Sequence, residues 1–236
     1  MDSLQLIVSK AKELVQTRSP ECEAAFLAGS VVRGEATATS DLDIVVFDSS
    51  VTVSYRESFF YEGWPVEWYV HNLESYYAYY ESDCIRAKPS LPKMVSEGVI
   101  LNDKGKAKVL QDEARMILKK GPSPWEENEM TLKRYFLTDV LEDFIGATDR
   151  GEEMCCAATL AEQVHEFILR TNKQWIGSSK WIVRALRNYD QTLADRFVQV
   201  FDHYYETREK ESVITFVDDA LHPYGGRLFE GFSLGK

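Results

Sequence analysis

Two aspartates separated by one residue, in Ser40-Asp41-Leu42-Asp43-Ile44-Val45-Val46, are the side chains of this 236-residue sequence best suited to chemistry. Residues two apart on a β-strand point the same way, so Asp41 and Asp43 would project their carboxylates from one face. Two such carboxylates repel each other at neutral pH and are costly to bury unpaired, which makes a divalent cation their natural partner. Mg²⁺ takes oxygen ligands and completes its shell with water and substrate phosphates. An Asp-x-Asp alone most often marks a solvated strand face; the segment ahead of it, Gly29-Ser30-Val31-Val32-Arg33-Gly34, adds the weight. Gly29 would let the backbone pass close to a triphosphate, and Ser30 adds a hydroxyl where a helix can open at Val31, together forming a phosphate cradle. Arg33, one helical turn on, offers a planar fork of donors to phosphate oxygens, or equally to Asp41 or Asp43. Ser40, directly before the Asp-x-Asp, is counted with the cradle.

These residues need strands and a turn to hold them. Ala24–Ala28 is a short apolar run that stops at Gly29-Ser30, and Leu42–Phe47 is β-branched and follows a polar segment, so a strand, turn, strand unit is predicted. Tyr55–Tyr61, a turn at Glu62-Gly63-Trp64, and Pro65–Val70 read as a hairpin whose second arm alternates Val66, Trp68 and Val70 against Glu67 and Tyr69. Ahead of this, Leu4, Ile7, Ala11, Leu14 and Val15 share one face of an N-terminal helix.

From Asn72 the pattern turns helical, with Asn72 as the expected N-cap and Pro89 and Pro92 as breakers. A small strand is expected at Gly98–Leu101. The Gly121-Pro122-Ser123-Pro124 cluster is the clearest boundary signal, dividing residues 1–120 from 121–236. Beyond it, the Met130–Phe144, Met154–Arg170, Ser179–Leu186 and Leu193–Tyr205 stretches carry apolar residues three and four apart. The fold class expected is α+β: a small mixed sheet of four or five strands with flanking helices, followed by an α-helical bundle.

The Gly-Ser pair, short helix and Asp-x-Asp strand, over roughly residues 20 to 72, resemble the polymerase-beta-type nucleotidyltransferase superfamily. The resemblance implies a third carboxylate on a later neighbouring strand; Glu67 occupies the matching place, although Asp is commoner there, and Glu62 at the hairpin turn is the alternative. A small catalytic domain followed by a helical half is similar to the kanamycin-type and related antibiotic nucleotidyltransferases. By that resemblance the helical half contacts the acceptor, and Lys180 or Lys173 is a candidate for triphosphate contact. The general base stays open among Glu67, Glu142 and Glu162.

Composition sets the outer bounds. Apolar residues make up 44% and charged residues 28%, the composition of an ordinary globular chain, and no apolar run reaches the roughly 20 residues that cross a bilayer. A cytoplasmic chain with no membrane partner is expected, its four cysteines reduced. A net charge of −11 disfavours general nucleic-acid binding and favours cationic partners, without excluding a nucleotide held by a local metal.

The function implied is transfer of a nucleoside monophosphate from a Mg-bound nucleoside triphosphate, ATP first among them, to a hydroxyl of a small acceptor. An aminoglycoside-like cation is the favoured acceptor, and monomer and homodimer both stay open. The alternatives are an antitoxin-like enzyme that modifies a protein partner and a nucleotide-binding regulatory module that does not turn over.

Overall fold

The computed structural model of the protein describes residues 3–235 and divides into two compact units, one ending at Gly121 and the other beginning at Pro122. The first is built on a five-stranded mixed sheet in the order β3-β4-β2-β1-β5. Its strands are β1 (Ala24–Ala28), β2 (Leu42–Phe47), β3 (Tyr55–Tyr61), β4 (Trp64–His71) and β5 (Val99–Asp103). Only β2 and β4 run parallel. A parallel pair needs a crossover, and here β3 supplies it: the chain leaves β2, runs out along the sheet edge and returns through a hairpin to lie beside β2.

The hairpin closes on two residues, Glu62 (φ 48°) and Gly63 (φ 86°), both left-handed. That is the tight connection whose twist matches a right-twisted strand pair. Trp64 therefore belongs to β4 and not to the turn, one residue earlier than the sequence suggested.

Alternation along the strands separates two apolar layers. Leu42, Ile44, Val46, Val66, Trp68 and Val70 pack with Ala11, Leu14 and Val15 of helix α1 (Ser3–Arg18). Val45, Phe47, Ala24 and Phe26 face the other way, onto α3 (Tyr76–Ile85), α4 (Ser90–Glu97) and α5 (Ala107–Lys120). The expected strand near Gly98–Leu101 is β5.

Two local expectations are corrected. Asn72 does not cap α3: its Oδ1 accepts from the Glu74 amide at 2.6 Å and its Nδ2 donates to Val51 O at 2.7 Å, and the helix opens four residues later at Tyr76. Asn is as good at closing an Asx turn as at capping, and tertiary contacts decide between them. Pro89 stands in the break between α3 and α4, as a breaker should, whereas Pro92 lies inside the first turn of α4, which has no intrahelical use for the amide that proline lacks.

The second unit is helical: α6 (Glu127–Gly146), α7 (Arg150–Thr171), α8 (Trp181–Tyr189), α9 (Gln191–Thr207) and α10 (Glu211–Leu221), the last not anticipated. Asp149 caps α7 by accepting from the Gly151 and Glu152 amides, and Asp190 caps α9 through the Leu193 amide. Edge-on ring contacts such as Phe144–Tyr204 (4.9 Å) and Phe197–Phe216 (6.0 Å) tie its helices together. Among the described residues no helix is long and apolar enough to cross a membrane.

Candidate active site

Sheet register brings the acidic residues together. Asp43 on β2 and Glu67 on β4 are directly paired in the parallel ladder, so their side chains leave the same face of adjacent strands. Asp41 stands two residues ahead of Asp43. Carboxylate oxygens of Asp41, Asp43 and Glu67 all lie within 4.8 Å of one another, and all three residues are half-buried. Glu62 sits elsewhere, at the hairpin turn, where it pairs with Lys10 at 3.1 Å.

Such crowding has an electrostatic signature. The Asp43 carboxyl is pushed up to about 7, first by burial and then by the charges of Asp41 and Glu67, with Arg33 and Arg56 opposing. An all-oxygen set of three carboxylates, one of them raised by burial and by its neighbours' charges, has the chemistry of a hard divalent-cation site, because a cation there would offset both the burial of charge and the repulsion.

The Gly-Ser turn lies against this cluster. Gly29 directly follows the end of β1, where Ala28 pairs with Asp43 of β2. Gly29 has φ +80°, and a Cβ there would fall 1.9 Å from Asp43 Oδ2, so the space a side chain would take is filled by the aspartate. Ser30 donates to Ser40 Oγ at 3.1 Å, and Ser40 Oγ also accepts from the Thr37 amide at 2.8 Å. These two hydroxyls tie the four-residue helix α2 (Gly29–Val32) to the loop that delivers Asp41. Arg33 ion-pairs with Glu35 at 3.1 Å and with Glu97 at the end of α4. Lys180 belongs to the second unit, exposed at the N-cap of α8.

Sequence reading missed the partners of Glu67. One oxygen accepts from the Arg56 guanidinium and the other from the Tyr69 hydroxyl. Burial and this hydrogen bond push the Tyr69 hydroxyl pKa well above its ordinary range, so it remains a donor. A signal was available: counting out from the Glu62-Gly63 turn sets Ser58 opposite Glu67 and Arg56 opposite Tyr69, on the face the acidic residues share. Carboxylate ligands are characteristically oriented by such outer partners.

Residues 8–78 match the family model described as Nucleotidyltransferase domain, a span that contains Gly29, Ser30, Asp41, Asp43 and Glu67. No curated protein matches the chain. Among solved structures it is similar to a nucleotidyltransferase-like protein from Exiguobacterium sibiricum 255-15, at 12% identity, covering 92% of this chain and 75% of that one, with a TM-score of 0.48.

Proposed function

We propose that the chain moves a nucleoside monophosphate from a Mg-bound triphosphate, ATP first, to a hydroxyl of a small cationic acceptor, a reading supported by the match of residues 8–78 to the nucleotidyltransferase-domain family. The observation that carries this reading is the convergence of three carboxylates within 4.8 Å beside the Gly-Ser turn. Asp41, Asp43 and Glu67 would hold the cation; Gly29, Ser30, Arg33 and Ser40 would line the triphosphate. Bound there, Mg²⁺ would supply electrostatic stabilisation of the charge that shifts onto departing pyrophosphate.

The chain's own residues do the positioning on which nucleotidyl transfer mainly depends. The bare α-carbon of Gly29 leaves Asp43 its place. Tyr69 and Arg56 fix the orientation of Glu67, whose two oxygens already accept hydrogen bonds and are better suited to holding than to taking a proton. Arg33 is held by Glu35 and Glu97, and its planar guanidinium has the geometry that suits phosphate oxygens. In the reaction the acceptor oxygen bonds to the α-phosphorus as the bond to pyrophosphate breaks, and the hydroxyl proton leaves to a base. The net charge of −11 favours a cationic acceptor such as an aminoglycoside-like amine.

The test is pyrophosphate release from ATP with Mg²⁺ across a panel of hydroxylated amines. Release is expected with at least one, and equal release by an Asp41→Asn/Asp43→Asn variant would contradict the assignment.

A further inference from the structure

We propose that strand β3 is the interface of a homodimer, in which two copies pair their β3 strands antiparallel about a two-fold axis at Ser58 and join two five-stranded sheets into one. β3 is an edge strand, paired with β4 alone. Soluble proteins blunt such edges with lysine, proline, a bulge or a covering element. The opposite edge is treated in this way, since the ladder of β5 with β1 is interrupted by a register shift. β3 has no such device. Its seven residues, Tyr-Arg-Glu-Ser-Phe-Phe-Tyr, run in unbroken register with β4, four of them are aromatic, and Phe60 is 78% exposed.

The hairpin fixes which backbone groups are open. Tyr61 and Trp64 flank its two-residue turn and form the first hydrogen-bonded pair, so alternation makes Phe59–Val66, Glu57–Trp68 and Tyr55–Val70 the next ones. Arg56, Ser58 and Phe60 therefore turn amide and carbonyl toward the open edge, and no partner for these groups is present among the described residues. A two-fold axis normal to the sheet pairs residues of equal parity. Centred on Ser58, it sets Ser58 against its own copy and Arg56 against Phe60 at both ends, so that every one of these outward groups is paired within the strands. Centring on Phe59 carries Arg56 past the strand end to the Glu62 turn, and centring on Glu57 sets two carboxylates directly opposite each other. The side chains agree with the Ser58 register. The Arg56 side chain, 54% exposed, meets the second copy's Phe60 ring as a cation–π pair. Glu57, opposite the second copy's Phe59, is neutralised by Arg18 at 2.6 Å. Because Arg56 also holds Glu67, the second copy's Phe60 adds a ring to the outer side of the acidic cluster.

The inference does not rest on the nucleotidyl-transfer reading. Sedimentation equilibrium of the full chain over a wide concentration range, in about 0.15 M salt to screen the net charge, tests it. An interface of two strands is small, so the dimer should be reversible, with the mass rising from 27.1 kDa toward twice that value. Ser58→Pro removes the central outward amide where an edge strand tolerates proline, and Phe60→Arg opposes the second copy's Arg56. Each is expected to weaken dimerisation at least tenfold while the far-ultraviolet circular dichroism stays that of the parent. Phe60→Glu removes the same ring and adds to the net negative charge, yet it offers Arg56 a carboxylate; it is expected to dimerise at least tenfold more tightly than Phe60→Arg. The proposal is overturned if the parent stays at 27.1 kDa throughout, if Ser58→Pro and Phe60→Arg dimerise as the parent does, or if Phe60→Glu and Phe60→Arg dimerise alike.

Discussion

Asp43 occupies the space of the side chain that residue 29 lacks: a Cβ on Gly29 would lie 1.9 Å from Asp43 Oδ2. The glycine is required twice, once by this contact and once by its φ of +80°. Gly29→Ala should therefore displace Asp43 as well as strain the turn. We expect a loss of about 1–3 kcal/mol in stability and at least a tenfold loss in Mn²⁺ affinity, read by thermal unfolding and by calorimetry. Mn²⁺ affinity equal to the parent's would show that Asp43 does not bind the ion from this position.

The raised Asp43 carboxyl gives a pH dependence of definite sign. Its native value of about 7 lies above its ordinary value of 3.8, so the folded protein binds more protons than the unfolded chain between these limits. Stability of the metal-free protein should fall as pH rises from about 4 to about 7. Asp43→Asn removes that penalty. At pH 8 it should stabilise the metal-free protein by roughly 2 kcal/mol, reduced from the full displacement because the site keeps some solvent, while abolishing stabilisation by Mn²⁺. Unfolding midpoints across pH, with and without the metal, read both effects; a variant less stable than its parent at pH 8 would count against the crowding described here.

On the proposed reading, a cation at Asp43 would compete with the proton for the same oxygen. Divalent-ion affinity should rise from pH 6 to pH 8 and binding should release close to one proton at pH 6. Calorimetry in buffers of different ionisation enthalpy measures the number released, and none at pH 6 would mean that Asp43 stays outside the coordination shell.

Tyr69 reaches the acidic cluster through its hydrogen bond to Glu67 and would act on a bound ion through that carboxylate. Tyr69→Phe keeps the ring and removes the donor, so metal affinity should fall about tenfold, in the usual range for an outer hydrogen-bond partner. The unfolding temperature of the metal-free chain should change little. If affinity is unchanged, Arg56 alone suffices to orient Glu67.

Much of this was legible because the relevant elements are local. AAFLA, LDIVVF and the two hairpin arms are short, β-rich and bounded by turn residues, and a period of two assigns their faces outright. Asp41, Asp43 and the Gly-Ser turn are close in sequence, so one register brings them together. What escaped depended on distant partners. Arg33 is captured by Glu97, 64 residues away, a pairing no spacing rule announces. The reason for Gly29 is a contact with Asp43, whereas the sequence suggested only room for a phosphate. Asn72 and Pro92 were misread because one residue type serves both a turn and a helix start, and long-range packing chooses.

The central claim is that Asp41, Asp43 and Glu67 hold a divalent ion that carries the triphosphate. The most direct measurement is diffraction at the manganese edge from crystals soaked with Mn²⁺ and a non-hydrolysable ATP analogue. An anomalous peak within coordination distance of all three carboxylates, with analogue phosphate oxygens on the same ion, is the expected result; manganese and analogue bound away from these residues would contradict it.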